Sequence, residues 1–225
     1  MVRKDHDGFK ETFSVAVRTL ALVVLPASVG LIVWARPIVR IVFEHGHFNA
    51  YSTDITASAL YFYAFGLLSC AVIKILVNMF YAMQDTRTPV KTMCFSVSAN
   101  IVLSLLLMGT LKIGGLALAS SLSATLNVGL LYYFLRKKIG ALDESKIIGN
   151  VSKILGLAVL MGVLASGYNG LVLERLVGAK TLWQGLALLG GIGFCTGIYA
   201  GLVLVFRIEE AHDLRRLIFS KSHTP

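Results

Sequence analysis

FYAMQDTRTPVKT, residues 80–92, sets a knot of polar and charged side chains, closed by a proline, between two long apolar runs. The stretch stands out because the chain around it is so different: of 225 residues, 56% are apolar and only 15% charged. An ordinary soluble domain carries about 25% charged residues. The sequence therefore reads as an integral membrane protein, and the polar knot as a turn between two of its spans.

A helix rises about 1.5 Å per residue and the hydrocarbon layer is about 30 Å thick, so a span needs about 20 mostly apolar residues. Six stretches qualify: 13–35, 53–81, 90–110, 113–135, 148–168 and 182–206. The expected fold is all-α, a polytopic membrane helix bundle of about six helices. A soluble bundle would need broader polar faces than these runs carry. The opening MVRKDHDGFKET is too polar, and the run behind it too long, for a cleaved signal peptide, so the first helix is expected to stay. Cys70, Cys94 and Cys195 lie singly inside apolar runs at no metal-ligand spacing and read as small hydrophobes.

Basic loop residues are retained on the cytoplasmic side during insertion. With the N-terminus inside, that side carries Arg3, Lys4, Lys10, Arg87, Lys91, Arg136, Lys137, Lys138, Lys146, Arg207, Arg215, Arg216 and Lys221, against Arg36, Arg40, Lys112, Arg175 and Lys180 outside: thirteen to five. Both termini and the hairpin of Gln84, Asp85, Thr86, Arg87, Thr88 and Pro89 are expected in the cytoplasm. The net charge of +9 fits anionic lipid headgroups, not nucleic acid. Within the hairpin, Thr88 reads as an N-cap with Pro89 at the first helical position, where a missing N–H costs nothing, and Asp85 can pair with Arg87 across the turn.

Lys74, in SCAVIKILVNMF, is a full charge well inside a span. It lies about ten residues, or roughly 15 Å, from the hairpin, so its stem could snorkel toward the headgroups. Intramembrane charges more often face a wet cavity, and Asn78, one turn on along the same face, favours that reading. Arg18 lies near the start of its span and reads as an interfacial anchor. Asn100, Ser104, Ser120, Ser121, Ser123, Thr125 and Asn127 place polar groups in the third and fourth spans. They suit hydrogen bonds between helices or a cation or proton site, although neither span holds a carboxylate. Arg36, Arg40 and Glu44 share one face of a stretch that reads as a short separate helix lying in the outer interface. The His45 and His47 pair beyond it lacks a third ligand and reads as solvated loop. Gly193, Gly197 and Gly201 form a small-residue stripe suited to close packing by a helix or an acyl chain. No nucleophile with its base, phosphate loop or paired carboxylates appear, so catalysis, metals and cofactors are not expected.

FYAMQDTRTPVK, residues 80–91, closely resembles the signature hairpin of the MurJ/MviN family, the lipid II flippases of bacterial peptidoglycan synthesis within the multidrug/oligosaccharidyl-lipid/polysaccharide exporter superfamily. LPASVGLIVWARPIVRIVFEHGHFNAYSTDITASAL, residues 25–60, is similar to that family's segment of helix, interfacial elbow and next helix. The resemblance implies a lobe of a lipid-linked precursor flippase in the bacterial cytoplasmic membrane, working by alternating access. Residues 1–138 would be four helices of the second lobe, and 139–225 the final pair with a cytoplasmic tail. In the family the cations that hold the headgroup come largely from helices this chain lacks, so the resemblance carries none of them over. Lys74, Asn78 and Asn100 are expected on a substrate pathway from the residues alone, while a groove for the polyprenyl tail at Gly193, Gly197 and Gly201 is also what the resemblance implies. Family members typically have fourteen helices, and this chain resembles only the last six, so it is expected to be a fragment, a truncated frame or part of a split transporter. The implied partners are membrane lipids, the polyprenyl-linked precursor and the missing helices; the coupling ion is not implied. The alternatives are a flippase for another polyprenyl-linked glycan and a non-transporting remnant or scaffold.

The basic-residue bias predicts that Thr86→Cys in intact cells reacts only with a membrane-permeant thiol reagent. Labelling by an impermeant reagent from outside contradicts the orientation.

Overall fold

The computed structural model describes residues 3–140 apart from 45 and 47, then 144–176 and 181–206. Hydrocarbon offers a backbone amide no partner, so apolar runs of this length satisfy their own hydrogen bonds as helices. The described residues form α1 (Arg3–Phe43), α2 (Ala50–Ala82), α3 (Arg87–Ile139), α4 (Glu144–Tyr168) and α5 (Thr181–Val205). All five are long and apolar enough to cross a membrane.

The six expected spans fit into five helices because α3 contains two of them. At 53 residues α3 would be about 80 Å long if straight, but Lys112 breaks it with φ 51° and ψ −128°. A Cβ built on Gly115 would collide with the carbonyl oxygen of Leu107. Eight residues apart on a straight helix means about 12 Å, so the chain has reversed. Residues 87–111 form a first limb and 113–139 a second. Lys112 itself donates to the Tyr51 hydroxyl at 3.0 Å, tying the reversal to the start of α2.

Contacts along the second limb climb in step with α2. Gly114 sits against Ser58 and Phe62, Ser121 against Gly66, Thr125 against Ser69, and Leu131 and Leu135 share a buried cluster with Leu76 and Phe80. The two helices therefore run parallel, as two spans separated by one intervening span must. The Ser121 hydroxyl donates to the Phe62 carbonyl at 2.7 Å, and the Ser69 and Thr125 hydroxyls are 2.9 Å apart. These two residues of the polar set bridge helices. Ser123, Thr125 and Ser104 also bond within their own helix, to the Ser120 carbonyl, the Ser121 carbonyl and the Asn100 side chain.

α1 is the spine. Phe13 and Val17 pack with Leu76, Phe80 and Leu135 near one end, while Leu22, Leu25 and Trp34 pack with α4 and α5 further along. Tyr199 of α5 donates to the Leu22 carbonyl at 2.9 Å, anchoring the last helix to the first. The expected separate helix over Arg36, Arg40 and Glu44 is corrected: α1 runs unbroken through Pro26 and Pro37 to Phe43. Arg36 pairs with Asp54 at 2.9 Å and Glu44 accepts from Thr53 at 2.8 Å, so the extension is held against the start of α2. His45 and His47 lie outside the described residues. α4 passes at Tyr168 into a π-helical turn, Asn169–Leu173, and then a 3-10 turn, Glu174–Leu176.

A methyl group on Gly66 would lie 2.8 Å from the Ser121 Cα, where only backbone movement could accommodate it. Gly66→Ala is expected to destabilise the bundle by about 1–3 kcal/mol in detergent-solubilised unfolding. Gly193→Ala, with nothing within 4 Å, is the control and is expected to leave stability unchanged or raise it by up to about 1 kcal/mol.

Candidate functional site

The 83–86 hairpin joins α2 to α3, and its geometry explains its polarity. The end of α2 is closed by bonds from the Gln84 N–H to the Tyr81 carbonyl and from the Asp85 N–H to the Phe80 carbonyl, both 2.9 Å, with Gln84 left-handed at φ 57°. This is a Schellman cap in which glutamine stands where glycine is usual. Asp85 then opens α3. Its Oδ1 accepts the N–H groups of Arg87 and Thr88 at 3.1 Å each, and its Oδ2 accepts the Thr88 hydroxyl. The expected cap is thus corrected. Asp85, not Thr88, satisfies the orphan donors; Thr86 makes no side-chain cap bond; and Pro89, counted from the observed start at Arg87, is buried at the third helical position and not at the first.

Asp85 also forms an ion pair with Lys138, near the end of the second limb, rather than with Arg87. The Lys138 ammonium lies 5.6 Å from the Phe80 ring centre. One carboxylate therefore gathers the end of α2, the start of α3 and the end of α3. The bond from Lys138, then those from Thr88, hold the Asp85 carboxyl below the ordinary carboxylate range.

Lys74 and Asn78 lie one turn apart on an exposed face of α2 with Cys70 and Tyr81, while other faces of the helix pack on α1 and the second limb. Lys74 makes no ion pair or hydrogen bond among the described residues. Asn100 is half-buried on the first limb and accepts the Ser104 hydroxyl at 3.1 Å; no hydrogen bond joins it to Lys74 or Asn78. Ser96 Oγ and Asn127 Oδ1 are buried without a partner among the described residues. Arg18 donates to the Ser14 carbonyl at 3.3 Å, one turn back along its own helix.

Gly193, Gly197 and Gly201 are exposed, with nothing within 4 Å of a built Cβ, so they pack on no other helix among the described residues. The glycine of close approach is Gly191, where a Cβ would lie 2.5 Å from the Tyr168 ring, whose hydroxyl donates to the Ala187 carbonyl at 2.8 Å. An apolar groove of about 720 Å³ runs between α1 and α5 on a different face. Pro26, Ala27, Gly30 and Trp34 line one wall and Ile192, Thr196, Tyr199 and Ala200 the other; the glycine stripe is not in its lining. The small residues at 26, 27 and 30 were the available signal for it.

Comparison with known proteins adds a family. The family described as Lipid II flippase MurJ matches residues 1–186. A probable lipid II flippase MurJ from Rickettsia prowazekii (strain Madrid E) is 38% identical over 161 residues, covering 72% of this chain and 32% of the relative. One from Bdellovibrio bacteriovorus is 27% identical over 213 residues, covering 93% of this chain and 40% of the relative. The solved structure of a lipid II flippase MurJ in an inward closed conformation superposes with a TM-score of 0.70 at 23% identity, over 91% of this chain and 40% of that one, a likeness of fold. The chain spans between about a fifth and two fifths of the length of the relatives it matches.

The hairpin geometry separates capping from ion pairing. Asp85→Asn keeps an acceptor for the two amides, so it is expected to lose the ion pair and the bond accepted from the Thr88 hydroxyl but not the cap, whereas Asp85→Ala loses the cap as well and is less stable still. Because the folded pKa is lowered, the Asp85 contribution is present above the ordinary value of 3.8 and begins to be lost as the pH falls below it toward the lowered folded value. Unfolding of wild type and the two variants between pH 3 and pH 7 measures both effects; equal stability of Asp85→Asn and Asp85→Ala contradicts the cap.

Proposed function

The chain belongs to the Lipid II flippase MurJ family, and from that premise we propose that it supplies the second lobe and final helix pair of a flippase that moves a lipid-linked peptidoglycan precursor across the bacterial cytoplasmic membrane. Such a substrate combines a diphosphate and sugars, which hydrocarbon rejects, with a long polyprenyl chain, which water rejects. A flippase has to offer both a wet, cationic path and an apolar groove, and it makes or breaks no covalent bond. The family match over residues 1–186 is the observation that carries this reading.

The groove between α1 and α5 is suited to the polyprenyl tail: it is apolar, open along the helices and large enough for several isoprene units. The face of α2 bearing Lys74 and Asn78 is the proposed wall of the path, with Asn100 on the neighbouring first limb. An unpaired ammonium at that depth is best satisfied by water or by a passing anion, because hydrocarbon makes it costly. In this reading residues 1–138 work as one lobe and 139–225 as the final pair, with both termini and the 83–86 hairpin in the cytoplasm. Lobe motion then alternates access to the path from the two sides. Since the relatives are more than twice as long, transport is proposed to need the helices they carry beyond the matched part.

Lys74→Ala in the complete assembled transporter is expected to reduce flipping by about tenfold or more, the scale of one charge-assisted hydrogen bond, at normal membrane levels. Lys74→Arg keeps the charge and tests donor geometry. Wild-type flipping by Lys74→Ala at normal protein levels removes Lys74 from the path and returns it to a snorkelling role.

A further inference from the structure

A second cavity, of about 570 Å³, lies at the end of the bundle remote from the 83–86 hairpin, between the last turns of α1, the first turn of α2, the π-helical turn and the start of α5. Unlike the groove it is polar, lined by Arg36, Arg40, Glu44, Thr53, Asn169 and Glu174 among others. It begins where the apolar part of α1 ends, at Ala35, and so lies at the level of lipid headgroups.

The charges in this cavity are unequally committed. Arg36 is occupied by Asp54 at 2.9 Å. Glu44 takes the Thr53 hydroxyl at 2.8 Å, but Arg40 Nε stands 4.0 Å from its other oxygen, beyond hydrogen-bonding range. The half-buried Arg40 guanidinium thus keeps donors for an oxyanion. On the opposite wall, among the described residues, Glu174 makes no ion pair and Asn169 beside it makes no side-chain hydrogen bond. A guanidinium with spare donors and a carboxylate with spare acceptors, facing one concave space, match a ligand that is itself a zwitterion. π-helical turns interrupt a helix at a cost and recur at binding sites, and this one places Asn169 and leads directly to Glu174.

We propose that this cavity binds the headgroup of a zwitterionic phospholipid carrying a primary ammonium, its phosphate on Arg40 and its ammonium on Glu174 and Glu44. Val33, Ile41 and Leu173 give the cavity an apolar side against which the start of the acyl chains can lie. The site is distinct from the proposed transport path and does not depend on it, nor on which leaflet the cavity faces. A lipid wedged between α1, α2 and α5 would brace the end of the bundle opposite the Asp85 contacts.

The test reconstitutes the 225-residue chain into nanodiscs of phosphatidylethanolamine or phosphatidylcholine, each mixed with the same fraction of phosphatidylglycerol, and measures Tm. Phosphatidylcholine offers the same phosphate but no N–H donors. Wild type is expected to melt about 2–4 °C higher with phosphatidylethanolamine, and Arg40→Gln and Glu174→Gln each to remove that difference. Glu174→Gln alters an exposed turn residue and so keeps the test valid even if Arg40→Gln fails to fold. A difference that survives in Glu174→Gln reflects bulk bilayer properties and overturns the proposal, as does no difference in wild type. A shift produced by free glycerophosphoethanolamine in phosphatidylcholine discs, without one from the lipid, overturns the lipid source in favour of a soluble zwitterion.

Discussion

A backbone amide or a charge surrounded by hydrocarbon has no water to turn to, and each one left unsatisfied costs several kcal/mol. That constraint makes the chain helical, and it also decides where the helices stop. Two reversals are tied by polar groups that satisfy one another: Asp85 with Thr88 and Lys138 at one end, Lys112 with Tyr51 at the other. Deeper in the bundle, polar side chains meet partners at short range, as Ser121 does at the Phe62 carbonyl. What remains unpaired within the spans, Lys74 above all, is then where an aqueous path is to be sought.

The helices divide their work around α1. One of its ends carries the cluster shared with α2 and the second limb, and its middle carries the cluster shared with α4 and α5. The apolar groove opens between α1 and α5, beside the place where Tyr199 fixes the two together. The surfaces proposed for tail and headgroup would then sit on different faces of the bundle, one between α1 and α5 and the other on α2, joined through the same spine. A movement of α1 would be felt by both.

The spans were legible because length and hydropathy suffice for them: the reversal at Lys112 falls between the expected spans ending at 110 and beginning at 113, and α4 changes character at the expected end, Tyr168. The chemistry of the hairpin was legible in kind but not in partner. Asp85 is two residues from Arg87, the partner the sequence suggests, and 53 from Lys138, and only a folded parallel pair brings the latter within reach. The polar face of Arg36, Arg40 and Glu44 reads as a separate interfacial helix in sequence, whereas in the fold α1 continues through Pro37 and that face is met by Asp54 and Thr53 of α2. That the glycine stripe meets no helix among the described residues was not legible for a related reason. Spacing identifies a face of α5 but not what lies opposite, and it is Gly191, outside the repeat, that meets the Tyr168 ring.

The second limb of α3 runs parallel to α2 and in contact with it, and this places the hairpin, the Lys74 face and the spine. The most direct measurement is oxidative cross-linking of Ser69→Cys with Thr125→Cys in native membranes, in a background with Cys70, Cys94 and Cys195 replaced. The hydroxyls of the native pair are 2.9 Å apart, so a disulfide is predicted to form in high yield. No link between these positions, together with one between Ser69→Cys and a cysteine placed on the first limb at Leu105, would contradict the arrangement.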